Sequence, residues 1–364
     1  MKSSNSPSRS LLLDLLRIFA AVWVVSFHWI GRGGFSPGLN QQIDFSFWPQ
    51  LFTSLASPGF LGVDLFFILS GVVIGKSAID KSWQNFSQNR FLRLFPVYAL
   101  ATLVAIALVP LADSDWKRSD ALASLTGLQF WIGGPTIIGA AWTLAIEVQF
   151  YAIVTLFILL SKSLTSEKIR QLAFVIIALS VASTVFNFGP VSFFAISPWG
   201  GYFALGMLLS TTISTMELQK NAFPILIGMV LAGNTLYTRL SAMYPDASSA
   251  YRIGIPLFIL VTVTGIILVS TLNFIPAINL REWKGIATLS LMTYPIYLFH
   301  ETLGLSAISI LTSSGIEQGV SFLLVAFIVM GFSWICVKWL EPISRNLLRK
   351  LFGWTRGSNK LEPQ

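Results

Sequence analysis

Long apolar runs separated by short polar stretches set the pattern of this chain. Crossing a hydrocarbon core takes about 17–25 apolar residues as a helix. Such runs fall near residues 11–31, 56–75, 91–111, 139–160, 171–188, 199–215, 222–238, 253–272, 286–303 and 319–340. The stretch from Ala121 to Pro135 is also apolar, but it is short and broken by Gly133, Gly134 and Pro135. It predicts a re-entrant or interfacial segment. The expected fold is an all-α polytopic membrane helix bundle of about ten transmembrane helices, without an internal repeat. The aromatic, Gly/Pro-rich stretch 32–55 is expected to fold over the bundle, and the tail after Trp354 to be disordered.

Composition agrees with that pattern. Hydrophobic residues make up 54% of the 364 positions and charged residues 11%, with a mean hydropathy of +0.72. A soluble domain would carry about a quarter charged residues. The single cysteine, Cys336, excludes a disulfide framework and any CxxC metal or redox site. The first apolar run is too long for a signal peptide and lacks a small-residue cleavage site, so it reads as a span.

The net charge of +8 is explained by topology rather than by a nucleic-acid partner. With both termini cytoplasmic, all but five of the 24 Lys and Arg residues lie inside; Arg32, Lys117, Arg118, Arg239 and Arg252 fall in outer loops. The expected contact of this basic excess is the anionic inner leaflet of the bilayer. Residues 1–345 then form the transmembrane domain and 346–364 a short basic cytoplasmic tail.

Ionisable groups at membrane depth cost about 2.5–3.5 kcal/mol on insertion scales, so they need a partner or a role. "LDLLRIFAAVWVVSFHWI" carries Asp14, Arg17 and His28. Arg17 and His28 are eleven residues apart, close to three turns, which places them on one helix face about 16 Å apart along the axis. Asp64 in "PGFLGVDLFFILSGVVIG" and Glu147 in "AAWTLAIEVQFYAI" enter from the outer side, and His300 closes "TYPIYLFH" at that side. By depth, His28, Asp64, Glu147 and His300 are expected to converge in the outer half. Plainer roles stand beside these: each carboxylate can simply bond a neighbouring helix, Arg17 can snorkel to the inner surface, and His300 can be an interfacial residue.

On the inner side, "QNRFLRLFPVY" places Arg90 and Arg93 one turn apart. They are either positive-inside anchors or an anion clamp, because a guanidinium pairs bidentately with phosphate. Arg17 would extend such a clamp inward. Basic residues at one mouth and a His/carboxylate group toward the other suit a phosphorylated donor that reaches through the membrane to an acceptor.

These segments together resemble the acyltransferase 3 family of integral membrane acyltransferases, which includes bacterial O-antigen and other surface-polysaccharide O-acetyltransferases. The resemblance runs from "LDLLRIFAAVWVVSFHW" through "FLGVDLFFILSG", "RFLRLFPVY", "AWTLAIEVQFY" and "TYPIYLFH" to "WLEPISRNLLRK". Arg17 and His28 match the family's arginine and histidine separated by ten residues, and Arg90 and Arg93 match its Arg-x-x-Arg. Glu301, after His300, departs from the apolar or aromatic stretch and proline of many relatives.

The resemblance implies acyl transfer, usually of acetyl from acetyl-CoA, to a hydroxyl of a carbohydrate or lipid-linked glycan. It places the protein in the bacterial cytoplasmic membrane, with no tightly bound cofactor and no metal. The extracytoplasmic hydrolase-like domain of some relatives is expected to be absent, since the chain stops soon after the tenth span.

Hydroxyl attack on a thioester needs a base near neutral pKa, and His28 fits that need. Asp64 or Glu147 is expected to orient its ring, as acids do in catalytic triads. Arg17, Arg90, Arg93 and Ser70 are expected to bind the donor, with Gly62 and the Ser70–Gly71 pair letting its slender arm pass close to backbone. The rival reading is a transporter or flippase with a charged pathway.

The topology predicts that a reporter fused after Trp354 registers as cytoplasmic and one inserted near Asp113 as external. The opposite result at either site would refute the ten-span arrangement.

Overall fold

The structure is a computed structural model and describes residues 10–31, 43–108, 118–127, 129–132, 136–186, 193–272 and 284–354. Among these residues every regular element is helical. The first helix, α1 (Leu11–Ser26), runs on into a π-helical turn, Phe27–Gly31. There follow α2 (Gln50–Ala56), α3 (Gly62–Ser77), α4 (Trp83–Leu108), α5 (Arg118–Thr126), α6 (Gln129–Ile132), α7 (Trp142–Ser161) and α8 (Ser166–Phe186). The second half holds α9 (Gly200–Thr211), α10 (Thr215–Met243), α11 (Ser249–Thr271), α12 (Lys284–Phe299), α13 (Thr302–Ser313), α14 (Gln318–Ile335) and α15 (Glu341–Leu351).

Eight helical stretches among the described residues are long and apolar enough to cross a membrane, and they coincide with eight of the ten expected runs. The runs at 199–215 and 286–303 form shorter helices, α9 of 12 residues and α12 of 16. At the helical rise these cover about 18 and 24 Å, less than the ~30 Å of a hydrocarbon core. Both still keep the expected course. Gly71 of α3 abuts Phe203 and Gly75 abuts Ser210, so α9 runs beside α3 in the same direction. Asp14 bonds Ser290, and His28 meets His300, so α12 likewise runs with α1. All twelve residues of α9 are buried. A helix enclosed by other helices need not match the bilayer with its own length, because protein satisfies whatever backbone adjoins its ends.

Lipid tails are as apolar as leucine, so membrane helices hold together by close packing rather than by hydrophobic exclusion. A Cβ on Gly71 would collide with the Phe203 carbonyl, and one on Gly206 with the Ile68 carbonyl. A Cβ on Gly62 would meet the Ala20 carbonyl and the Val24 side chain of α1. Gly62 and Gly71 were expected to open a passage for the donor; they are instead where α3 touches α1 and α9 backbone to backbone. Large apolar side chains such as Phe19, Leu160, Phe186, Phe223, Phe258 and Phe327 point outward, as a lipid-facing surface requires.

Two ends of the bundle can be told apart. The basic end holds Arg17, Arg90, Arg93 and the ion pair between Arg170 and Glu217. The histidine end holds His28 and His300. Over the latter folds the described part of the 32–55 stretch, as expected. Trp48 donates to the Trp29 carbonyl (3.1 Å), Trp23 donates to the Leu55 carbonyl (3.0 Å), and the Asp44 backbone exchanges two bonds with the Gln318 side chain.

Glu317 caps α14 by accepting from the Gly319 and Val320 amides, which holds its carboxyl below the ordinary glutamate pKa. The described part of the apolar 121–135 stretch lies in α5 and α6, each too short to cross, and its Ser124 carbonyl and Gln129 amide both bond Tyr98 of α4. At the basic end α15 runs through residue 345, and its Arg349 donates to Asn89 (3.2 Å) at the foot of α4. The tail expected to be disordered, 355–364, lies outside the described residues.

Candidate active site

Five helices surround one cavity of about 850 Å³, its open mouth included. Arg17 comes from α1, Ser70 from α3, Arg90 and Arg93 from α4, and Glu147 from α7, so the bundle brings together five of the seven site residues expected from sequence. Tyr151 of α7 and Tyr294 and Tyr297 of α12 complete its polar wall.

The i, i+3 spacing turns Arg90 and Arg93 to one side of α4, and both face this space. Arg90 donates to Ser77 (2.8 Å), and its guanidinium lies 5.5 Å from the Phe86 ring centre and 5.8 Å from that of Tyr151. Its buried Nε has no protein partner. Arg17 reaches Asp14 at 3.6 Å, and Asp14 accepts a 2.6 Å bond from Ser290 of α12. Glu147 accepts from Ser70 (3.0 Å) and from Tyr151, four residues on along the same helix.

Those bonds revise the depth read from sequence. Ser70 lies six residues, about 9 Å, along α3 from Asp64. Glu147 therefore sits with the arginines and not beside Asp64.

Asp64 is engaged elsewhere. It is 1% exposed and pairs with Arg239 of α10. Arg239 was expected in an outer loop, but α10 extends to Met243 and holds it on a helix against Asp64. Its guanidinium lies 5.0 Å from the Phe60 ring centre and 4.9 Å from that of Trp199. These residues and Trp142 wall a second, more open hollow toward the histidine end. The partners found for the two carboxylates are thus Arg239 for Asp64, and Ser70 with Tyr151 for Glu147.

His28 is 4% exposed, in the π-helical turn beyond α1. Its ring lies edge-on to His300, with centroids 5.1 Å apart and an interplanar angle of 60°. His300 in turn touches Tyr297 (5.5 Å between centroids), whose hydroxyl accepts from Thr143 at 3.0 Å. Tyr297 and Thr143 both line the basic cavity, so a continuous path of contacts leads from the arginines to the two histidines.

Sequence reading missed Arg239 and the three tyrosines. Tyr151 carried a signal, since a residue four positions after a glutamate in an apolar run shares its helix face.

A family model for an acyltransferase domain matches residues 11–338. Among curated proteins, the chain is similar to peptidoglycan O-acetyltransferase OatA of Listeria monocytogenes serovar 1/2a. The two are 26% identical over 353 residues, covering 82% of this chain and 50% of the relative. It is similar to acyltransferase MdmB of Streptomyces mycarofaciens, at 30% identity over 37% of this chain and 36% of the relative. Regulator of hypoxia-inducible factor 1 of Caenorhabditis elegans is 27% identical over 40% of this chain and 34% of the relative. The chain spans about half or less of the length of these relatives. No solved structure matches.

The Asp64–Arg239 pair yields a stability prediction. Asp64→Asn leaves a half-buried guanidinium without its counter-charge, and the cost should fall below the about 3–5 kcal/mol of a fully buried pair. Adding Arg239→Gln removes that charge and should recover part of the loss, as read by unfolding of the detergent-purified protein. Fully additive losses would show that the two groups do not stabilise each other.

Proposed function

The chain belongs to the acyltransferase domain family, and on that premise we propose that it is a membrane O-acyltransferase. It takes an acyl group, in the first place acetyl, from acyl-CoA at the basic end. The receiver is a hydroxyl of a carbohydrate or lipid-linked glycan that approaches from the histidine end. The observation that carries this reading is the single cavity on which Arg17, Arg90 and Arg93 open. Three guanidiniums around one space, two of them able to pair bidentately, suit the phosphates of CoA.

The reading implies a path of matching length. About 16 Å separates Arg17 from His28 along α1. With its phosphates at the arginines, the donor's slender arm points its thioester at the histidines, past Ser70, Glu147 and Tyr297. His28 takes the proton of the acceptor hydroxyl as its oxygen attacks the thioester carbon. The carbon–sulfur bond breaks, and the proton goes to the departing thiolate. General-base help of this kind is worth about 10²–10⁴ in rate. Asp64 then acts at a distance, holding Arg239 and the helices around it.

Burial of the site is consistent with transfer to an alcohol rather than to water, since excluding water suppresses hydrolysis of the thioester. The relatives' names support the acceptor class: peptidoglycan, in the Listeria protein's name, is a glycan. With the basic end facing the cytoplasm, where acyl-CoA is made, acceptors would meet the protein at the other face of a bacterial cytoplasmic membrane.

The donor site is tested by replacing Arg90 and Arg93 with Lys together. Lysine keeps the charge but loses the planar fork, so the KM for acetyl-CoA should rise with kcat little changed. An unchanged KM would remove the CoA phosphates from these two residues.

A further inference from the structure

The chain has only two histidines, 272 positions apart, and the fold brings their rings together. His300 is held with more care than an interfacial residue needs. Its ring is fully buried. Its amide donates to the Ile296 carbonyl (2.9 Å), and its carbonyl accepts from the Trp29 indole (2.7 Å), which fixes the backbone between α12 and α1.

The ring's Nδ1 lies 2.7 Å from the Tyr297 carbonyl oxygen. A carbonyl can only accept, so Nδ1 carries the proton, and in the neutral ring Nε2 is left as a bare lone pair. That Nε2 is buried with no hydrogen-bond partner in the protein. Leaving such an acceptor unmet costs about 1–3 kcal/mol, and replacement by an apolar side chain would avoid it. A lone pair held in one tautomer, beside a second imidazole, is instead suited to receive a proton.

We infer that His300 is a positioning residue for the transfer, acting through His28 as the second member of an imidazole pair. The inference rests on the reading of His28 as base. As the hydroxyl oxygen bonds to the acyl carbon, one nitrogen of His28 takes the hydroxyl proton. The proton on its other nitrogen moves to Nε2 of His300, so the charge formed is shared between two rings. When the carbon–sulfur bond breaks, the thiolate takes a proton from His28, the shared proton returns from His300, and both rings end neutral. With the ring centroids 5.1 Å apart, the step requires His28 to turn a ring nitrogen toward Nε2 while His300 stays held by Tyr297, and no other co-reactant is needed.

The test is His300→Asn. The asparagine amide can still donate to the Tyr297 carbonyl, but it puts no base where Nε2 stood. Acetyl transfer by the purified protein should fall about 100-fold, in the range of acid–base contributions, with the KM for acetyl-CoA unchanged. In a His28→Ala background the same change should cost little more, because residues that act as a unit lose their effect together. Should the Asn variant fold poorly, His300→Ala supplies a second measurement, since added imidazole should restore part of its rate by filling the void. Wild-type turnover in His300→Asn, or an Ala variant that imidazole leaves unmoved, would overturn the pair. Near-normal turnover in His28→Ala would instead remove the base reading itself, so the two failures are distinguishable.

Discussion

An ionised side chain in a bilayer must bring its partner with it, and the rest of this fold follows from that constraint. Water and lipid supply no counter-charge at depth, so a carboxylate held there reaches a polar or charged group on another helix. Asp64 of α3 meets Arg239 of α10, Glu147 of α7 meets Ser70 of α3, and Asp14 of α1 meets Ser290 of α12. Each contact joins helices far apart in sequence, and together they fix the registers in which the site is assembled. Close glycine contacts do the rest, since they let α1, α3 and α9 approach to backbone distance.

Charge placement also separates the two halves of the site. The arginines collect where α1, α3, α4, α7 and α12 leave a cavity, while the histidines meet beyond its far wall. A membrane acyltransferase must bring two substrates to one point without opening a leak. A basic cavity that reaches Tyr297, with an aromatic hollow around Trp142 and Trp199 toward the histidine end, has a form suited to that need.

Much of this was legible in the sequence. Apolar run lengths marked the helices, and the Arg17–His28 and Arg90–Arg93 spacings marked faces that the fold keeps. Depth was less legible. Glu147 and Asp64 appeared level when counted from the start of their runs, but Asp64 lies in the first turn of α3 and Glu147 in the second turn of α7, and packing offsets the two helices further. Arg239 was lost because α10 continues past its apolar run, and hydropathy cannot see a polar turn that tertiary partners keep helical. The roles of Gly62 and Gly71 depend on which helix lies opposite, and a single chain pattern does not say. The meeting of His28 and His300 depends on α1 and α12 being neighbours, which is a property of the bundle and not of either segment.

The central claim is that one molecule of donor spans the distance from the arginines to the histidines. It is tested most directly by determining the structure of the protein bound to a thioether analogue of acetyl-CoA, which cannot transfer its acyl group. The account predicts the CoA phosphates against Arg17, Arg90 and Arg93, with the acyl carbon beside the His28–His300 pair. A nucleotide bound in the hollow around Arg239, or an acyl group that ends far from both histidines, would contradict it.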